Sequence, residues 1–308
     1  KHATLNYSQL FSIIMPGEKI GIAFRSSVIP PSEILKLAKV VDQSAFTHLF
    51  VNESSPFLDC LEICSAILGV SRGIFVGSGV IRLLEHDKDA LLRRLQTMQE
   101  FSNNRFVLGV GTGGVSQNPG KAIDHLLSKL DQLRQDYSLG KFPSTLIATL
   151  KEGIARRVSG RSDGILLNFC LPEHAAKVVD EYRRVSGKAE FACYLKVFYS
   201  DTDARAKGLF VEEFEKYSRI PAYMKMFEAQ GIVADIQHSR QLLNRGEVLP
   251  SSLLRISLVN PTPQDLKDYI SSFRKVGITL PCVYPYFALE DQFDFRMEKV
   301  RSILSVAD

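Results

Sequence analysis

Between Asn104 and Gly114 the chain reads Asn-Arg-Phe-Val-Leu-Gly-Val-Gly-Thr-Gly-Gly, a short apolar run that ends in four glycines within six residues. Glycine bares the main chain and lets a ligand approach it closely. Consecutive amides between a strand and a helix favour an anion, typically a phosphate; a tight turn is the plainer alternative. Gly109, Gly111 and Gly114 match the spacing of a dinucleotide fingerprint, but their strand is the fourth of its kind, not the first of a Rossmann unit. A second glycine-rich strand end is Gly77-Ser78-Gly79. Glu53 ends an otherwise apolar strand, where a carboxylate can steer a substrate or a proton, or form a rim salt bridge. Lys151 and Gly153 open a helix whose amides and ammonium could meet a phosphate. Asp163 and Asn168 bracket another strand, with Asn168 at the end suited to ligand contact. His86 lies in the loop after the third strand, next to the site. His48 starts the strand of Glu53 and reads as structural. His125, His174 and His238 read as helix-surface residues, and Arg156-Arg157 as a solvated face.

Alternating elements must position these groups. Strand-like runs at Lys19–Phe24, His48–Asn52 and Gly73–Gly77 precede the glycine-loop strand; others follow at Ser144–Thr149, Gly164–Phe169, Phe191–Tyr199 and Leu280–Val283. Helical spacing lies between them: Ser32–Ser44 with Ser32 as N-cap, Phe57–Leu68, Lys88–Phe101, a helix from Pro119, Lys151–Val158, Pro172 to about Gly187, a helix from Asp203, Pro263–Val276 and Glu290–Leu304. Residues from Leu209 to Pro250 look helical with no strand among them. Eight strands in strict alternation with helices favour an α/β fold, a (β/α)8 TIM barrel with a helical insertion between strands 7 and 8. A doubly wound open sheet is the main alternative. No linker divides the chain, so residues 1–308 read as one domain. In a barrel, ligands bind where strands end and helices begin. Two glycine-rich ends there would leave an open floor that suits a flat ring system.

The composition narrows the function classes. The chain has 308 residues, 45% of them hydrophobic, enough for a sizeable core. A net charge of +4, without basic runs interleaved with aromatics, does not argue for nucleic acid. No apolar run approaches the length of a membrane span, and no secretory leader is visible at the N-terminus. Cys60, Cys64, Cys170, Cys193 and Cys282 are widely spaced and lack a zinc pattern, so reduced thiols in a cytoplasmic protein are expected.

The residues resemble the bacterial luciferase-like monooxygenase superfamily, from about Lys19 to Leu304. The densest likeness is Val76-Gly77-Ser78-Gly79-Val80, then Phe101-Ser102-Asn103-Asn104-Arg105 leading into Leu108-Gly109-Val110-Gly111-Thr112-Gly113. Arg161-Ser162-Asp163-Gly164-Ile165-Leu166-Leu167-Asn168 is similar to the family's "ala-asp-gly" strand. Arg219-Ile220-Pro221-Ala222-Tyr223 looks like its helical insertion. The likeness is greatest to the methylenetetrahydromethanopterin reductase branch.

The resemblance implies a flavin or deazaflavin at the C-terminal end of the barrel, and a non-proline cis peptide at Gly79-Val80. Glu53, at the C-terminal end of its strand, is the expected catalytic residue. Cofactor contacts would come from Asn52, Gly77, Ser78, Gly79 and Val80 on one side. Gly111, Thr112, Gly113, Thr149, Lys151, Gly153 and Asn168 would supply the rest; no metal is expected. The implied cofactor is coenzyme F-420, with FMN as the alternative, and the implied assembly is a homodimer or higher homo-oligomer acting on a small molecule. The chain also departs from relatives. Ser54 stands where F-420-dependent sugar dehydrogenases carry a histidine, and Gly114 where they carry a glutamate. Thr112 replaces the luciferase arginine, and His86-Asp87 stands for His-Pro. Three readings follow: hydride transfer with F-420 to or from a pterin-like or other small substrate, an FMN-dependent monooxygenase, or a non-catalytic flavin-binding barrel.

Overall fold

A computed structural model describes residues 18–53, 58–113 and 118–307. Strands buried on both faces read as continuous apolar runs in a parallel sheet, and these runs become β1 (Gly21–Arg25), β2 (His48–Asn52), β3 (Phe75–Ser78), β5 (Phe106–Gly111), β6 (Ser144–Ala148), β7 (Gly164–Asn168), β8 (Glu190–Phe198) and β10 (Leu280–Tyr286). Each pairs in parallel with the next. β10 pairs with β1 at Gly21↔Cys282 and with β8 from Leu280↔Ala192 to Tyr286↔Phe198, so the eight strands close into a barrel. Two short strands escape the sequence pattern: β4 (Ile81–Arg82) beside β5, and β9 (Ser257–Val259). β9 takes the edge of β8 at Lys196–Phe198, beyond Tyr194 where β7 stops.

Helices α1 (Pro31–Asp42), α2 (Cys60–Val70), α3 (Lys88–Phe101), α4 (Pro119–Asp136), α5 (Glu152–Val158) and α6 (Pro172–Arg183) follow their strands. α7 (Asp203–Ser218), α8 (Pro221–Ala229), α9 (Val233–Asn244) and α10 (Ser251–Leu254) form the insertion, and α11 (Pro263–Lys275) and α12 (Phe293–Leu304) complete the set. Side-chain caps set several starts: Asp59 accepts from Leu61 N and Glu62 N, and Thr262 with Asp265 forms a capping box. Ser32 is not a cap. The helix begins one residue earlier, at Pro31, whose ring suits the first turn, so Ser32 falls inside it. The expected helix start at Phe57 lies outside the described residues. Residues 18–53, 58–113 and 118–307 contain no helix long and apolar enough to cross a membrane.

Rings from three strands fill the bore. Phe50 meets Tyr194 at 6.2 Å, and Tyr194 meets Tyr284 at 5.1 Å. The insertion docks through aromatics too: Phe214 packs on Phe169 at 4.2 Å, and Phe227 on Phe169 at 5.8 Å. Phe210, Phe214 and Phe227 share one buried cluster with the barrel.

Close strand packing explains Gly109. A Cβ there would stand 1.9 Å from the Ser78 carbonyl oxygen, and the Ser78 hydroxyl already bridges Gly109 N and O. Gly109→Ala must push β3 from β5 and is expected to cost about 1–3 kcal/mol or more. Gly69, exposed near the end of α2 with nothing within 4 Å of its missing Cβ, is the control, since alanine there should stabilise by up to about 1 kcal/mol. Urea unfolding of both variants checks the contrast; equal midpoints would contradict it.

His48 sits at the opposite end of the bore from the strand C-termini, stacked on Phe75 at 5.1 Å and on Phe50 at 6.2 Å. Burial, aided by Lys19, pushes its pKa down to about 3. The fold therefore holds the neutral ring, while the unfolded chain protonates near 6.5. Its contribution is complete above pH 6.5 and is lost as pH falls toward 3, at about 1.4 kcal/mol per unit. His48→Phe should flatten the fall in melting midpoint between pH 7 and 4. Parallel profiles for variant and wild type would contradict this.

Candidate active site

The C-terminal ends of β2, β3 and β5 bring one group of the expected residues together. Glu53, just past β2, accepts from Arg82 N at 2.9 Å and from Arg82 Nε at 3.3 Å. Its other oxygen lies 3.4 Å from His86 Nε2. Burial pushes the Glu53 carboxyl up, but hydrogen bonds from His86 and Arg82 outweigh it and hold the pKa below the usual range. Glu53 is therefore ionised at neutral pH, 14% exposed at its side chain, and able to accept a proton. His86, read as site-adjacent, joins it. The Gly79-Val80 peptide is cis. Gly113, with φ +82°, packs against Arg82, and Gly111 lies against Val80 and Ala148. Thr112 is half-buried between them. Ser54 and Gly114 lie outside the described residues.

Gly77 and Gly79 do not leave an open floor. A Cβ on Gly77 would meet the Phe50 ring at 2.5 Å, and one on Gly79 would meet the Tyr194 hydroxyl at 1.7 Å. Large rings thus occupy the space below, and the usable surface is the rim above them. Ser78 is buried and spends its hydroxyl on Gly109. Asn52 ties β2 to β1, its Oδ1 accepting from Ser26 N at 3.3 Å. Thr149 is buried, and its hydroxyl donates to the Ile147 carbonyl.

A second group lies under the insertion. The Asn168 amide donates to the Tyr223 hydroxyl at 2.8 Å, while its buried Oδ1 has no hydrogen-bond partner. Whichever way the amide is turned, one polar end stays open. Lys151 stands just before α5 without a side-chain bond to the helix, and burial together with Lys225 lowers its pKa. Gly153 is exposed in the first turn of α5. Arg156 and Arg157 are exposed and paired with Glu181 and Asp124, a solvated face as expected. His125 and His238 are exposed, but His174 is not a surface residue: it is 6% exposed, and its Nε2 lies 2.8 Å from the Leu150 carbonyl oxygen. The five cysteines are buried and free. Among the described residues, no group of His, Cys, Asp or Glu could hold a metal ion.

Sequence reading missed a buried charged cluster at the mouth. Lys196, on the bore side of β8 with Tyr194 and Phe198, is fully buried. Its Nζ donates to Glu213 Oε1 at 3.1 Å and to the Tyr286 hydroxyl at 2.7 Å. The faces of Phe169 and Tyr217 lie 4.3 and 4.1 Å away. The signal was a lone lysine inside the run Tyr194-Leu195-Lys196-Val197-Phe198.

Residues 14–125 match the family described as Luciferase-like monooxygenase. That stretch is luciferase-like. It carries the ends of β1, β2, β3 and β5, and so Glu53, Gly79-Val80 and Gly109–Gly113. No sequence among the curated proteins matches the chain significantly. Solved structures resemble the whole barrel around this luciferase-like segment. One is an F-420-dependent secondary alcohol dehydrogenase in complex with an F-420–acetone adduct (TM-score 0.69, 12% identity, 95% of this chain and 100% of that chain). Another is the coenzyme F-420-dependent tetrahydromethanopterin reductase from Methanopyrus kandleri (TM-score 0.69, 11% identity, 95% and 100%). A third is the oxygenating constituent of 3,6-diketocamphane monooxygenase from Pseudomonas putida, in complex with FMN (TM-score 0.65, 14% identity, 95% and 97%). At these identities the likeness carries the fold.

Proposed function

We propose that the protein is a flavin- or deazaflavin-dependent oxidoreductase, and that it moves hydride between coenzyme F-420 and a small substrate. The observation that carries this reading is the ionised Glu53, held by Arg82 and His86 at the rim of a luciferase-like strand cluster. One feature under the insertion fits such a cofactor: the buried Asn168 Oδ1 has no partner, and the imide N–H of a flavin or deazaflavin ring reaching beneath the insertion would satisfy it. Lys151 and Lys225 supply positive charge for its phosphate. Bound there, the cofactor would supply the hydride chemistry. The protein would hold the substrate against it, exclude water, and offer Glu53 as a charge partner or proton acceptor. Pairing of two or more copies belongs to the same proposal.

The family description and the FMN-bound neighbour favour a second reading, monooxygenation with reduced FMN. Oxygen uptake separates them. Under the hydride-transfer reading, the protein changes F-420 absorbance anaerobically with a small alcohol or reduced pterin, and reduced FMN elicits no protein-dependent oxygen use. The opposite pattern selects the monooxygenase. No response to either cofactor favours the non-catalytic barrel.

A further inference from the structure

Three donors converge on one carboxylate at the barrel mouth. Glu213 Oε1 accepts from Lys196 Nζ at 3.1 Å and from the Tyr286 hydroxyl at 2.5 Å; Oε2 accepts from Arg25 Nη1 at 3.4 Å. The donors stand on β8, β10 and β1, three consecutive staves of the barrel. The carboxylate alone comes from outside the barrel, on α7. Charge-assisted bonds of this kind are those that recognise a carboxylate. Burial pushes the Glu213 carboxyl up, but Lys196, Arg25 and the Tyr286 hydrogen bond hold it at about 2, so the occupant is an anion. The cluster carries two cations against one anion. Arg25 is its open member: 22% exposed at its side chain, tied to Ser27 Oγ at 3.0 Å and lying over the Tyr286 ring. A buried pair is often no more stable than an apolar replacement, so stability alone does not account for the cluster.

We propose that Arg25, Lys196 and Tyr286 form the subsite for a carboxylate, or like monoanion, of the substrate, and that Glu213 is an internal occupant which that anion replaces. Arg25 meets the incoming anion at the rim. Lys196 and Tyr286 receive it as Glu213 withdraws, and α7 loses its tie to the bore. This deepens the proposed function by naming the substrate class. Its test needs no cofactor, so the two can fail separately.

The test uses formate and acetate as probes, with chloride at matched ionic strength as the control. Glu213→Ala vacates the subsite. Its melting midpoint should rise with formate or acetate but not with chloride, at concentrations about tenfold lower than wild type needs for any response. Adding Arg25→Gln should remove most of the effect. In the wild-type protein, saturating formate should speed amide hydrogen exchange in α7 and leave α1 unchanged. A Glu213→Ala protein indifferent to both carboxylates would overturn the proposal. If that variant does not fold, unchanged α7 exchange in wild type overturns it. Cofactor binding that survives alongside either negative result would leave the oxidoreductase reading standing.

Discussion

Lys196→Met is expected to destabilise the protein by about 3–5 kcal/mol, and adding Glu213→Leu to recover most of that loss. The single variant removes one partner of a buried pair. Glu213, 6% exposed, would keep only Tyr286 and the longer contact with Arg25. The four rings around Nζ would also lose their cation. The double variant removes the stranded charge, so the two changes should be strongly non-additive in a double-mutant cycle. The pH dependence has a definite sign. The Glu213 carboxyl is at about 2 in the fold and 4.5 without it, so its contribution is present above pH 4.5 and disappears as pH falls toward 2. Lys196→Met should shrink that window's contribution. Chemical denaturation at pH 7 and pH 3 reads both effects. A single variant within about 1 kcal/mol of wild type, or a double variant equal to the sum of its parts, would contradict this account of the mouth.

Glu53→Gln is expected to slow turnover by about 10²–10⁴-fold, and by no less than about tenfold, with little change in cofactor affinity. The amide keeps the size and one acceptor but loses the charge and the ability to take a proton. Arg82 and His86 would remain in place, so a loss confined to kcat would locate the defect in chemistry and not in folding. In wild type, the acid limb of the rate profile should fall below 4.5, because the hydrogen bonds to Glu53 depress its pKa. The variant should lack that limb. Wild-type turnover by Glu53→Gln would reduce Glu53 to a rim salt bridge.

The fold was legible where local signals are strong. Lys88–Phe101 reads as a helix at the right boundaries because its apolar residues recur at helical spacing and Asp87 caps it. Pro119 and Pro172 mark helix starts because proline fits the first turn. β4 and β9, of two and three residues, carry too few side chains to show a period. The position of Glu53 was legible as a strand end, but its partner Arg82 was not: that contact depends on the turn after β3. Lys196 and Glu213 stayed hidden for the same reason. They are 17 residues apart, and only barrel closure with the return of α7 over the mouth makes them a pair. Gly77 and Gly79 were read as ligand space, whereas Phe50 and Tyr194 pack where their side chains would stand; a sequence does not say which neighbour fills a missing side chain.

The most direct test of the central claim is equilibrium titration of the purified protein with coenzyme F-420 and, separately, with FMN, followed by absorbance and by tyrosine fluorescence. One of the two should bind saturably at one per chain. Asn168→Leu should weaken that binding by about tenfold or more, the cost of losing a buried polar contact, and should lower the melting midpoint of the cofactor-free protein only by the loss of its bond to Tyr223, about 1 kcal/mol. A folded protein that binds neither compound, or an Asn168→Leu variant that binds as tightly as wild type, would contradict a flavin-type site at this rim.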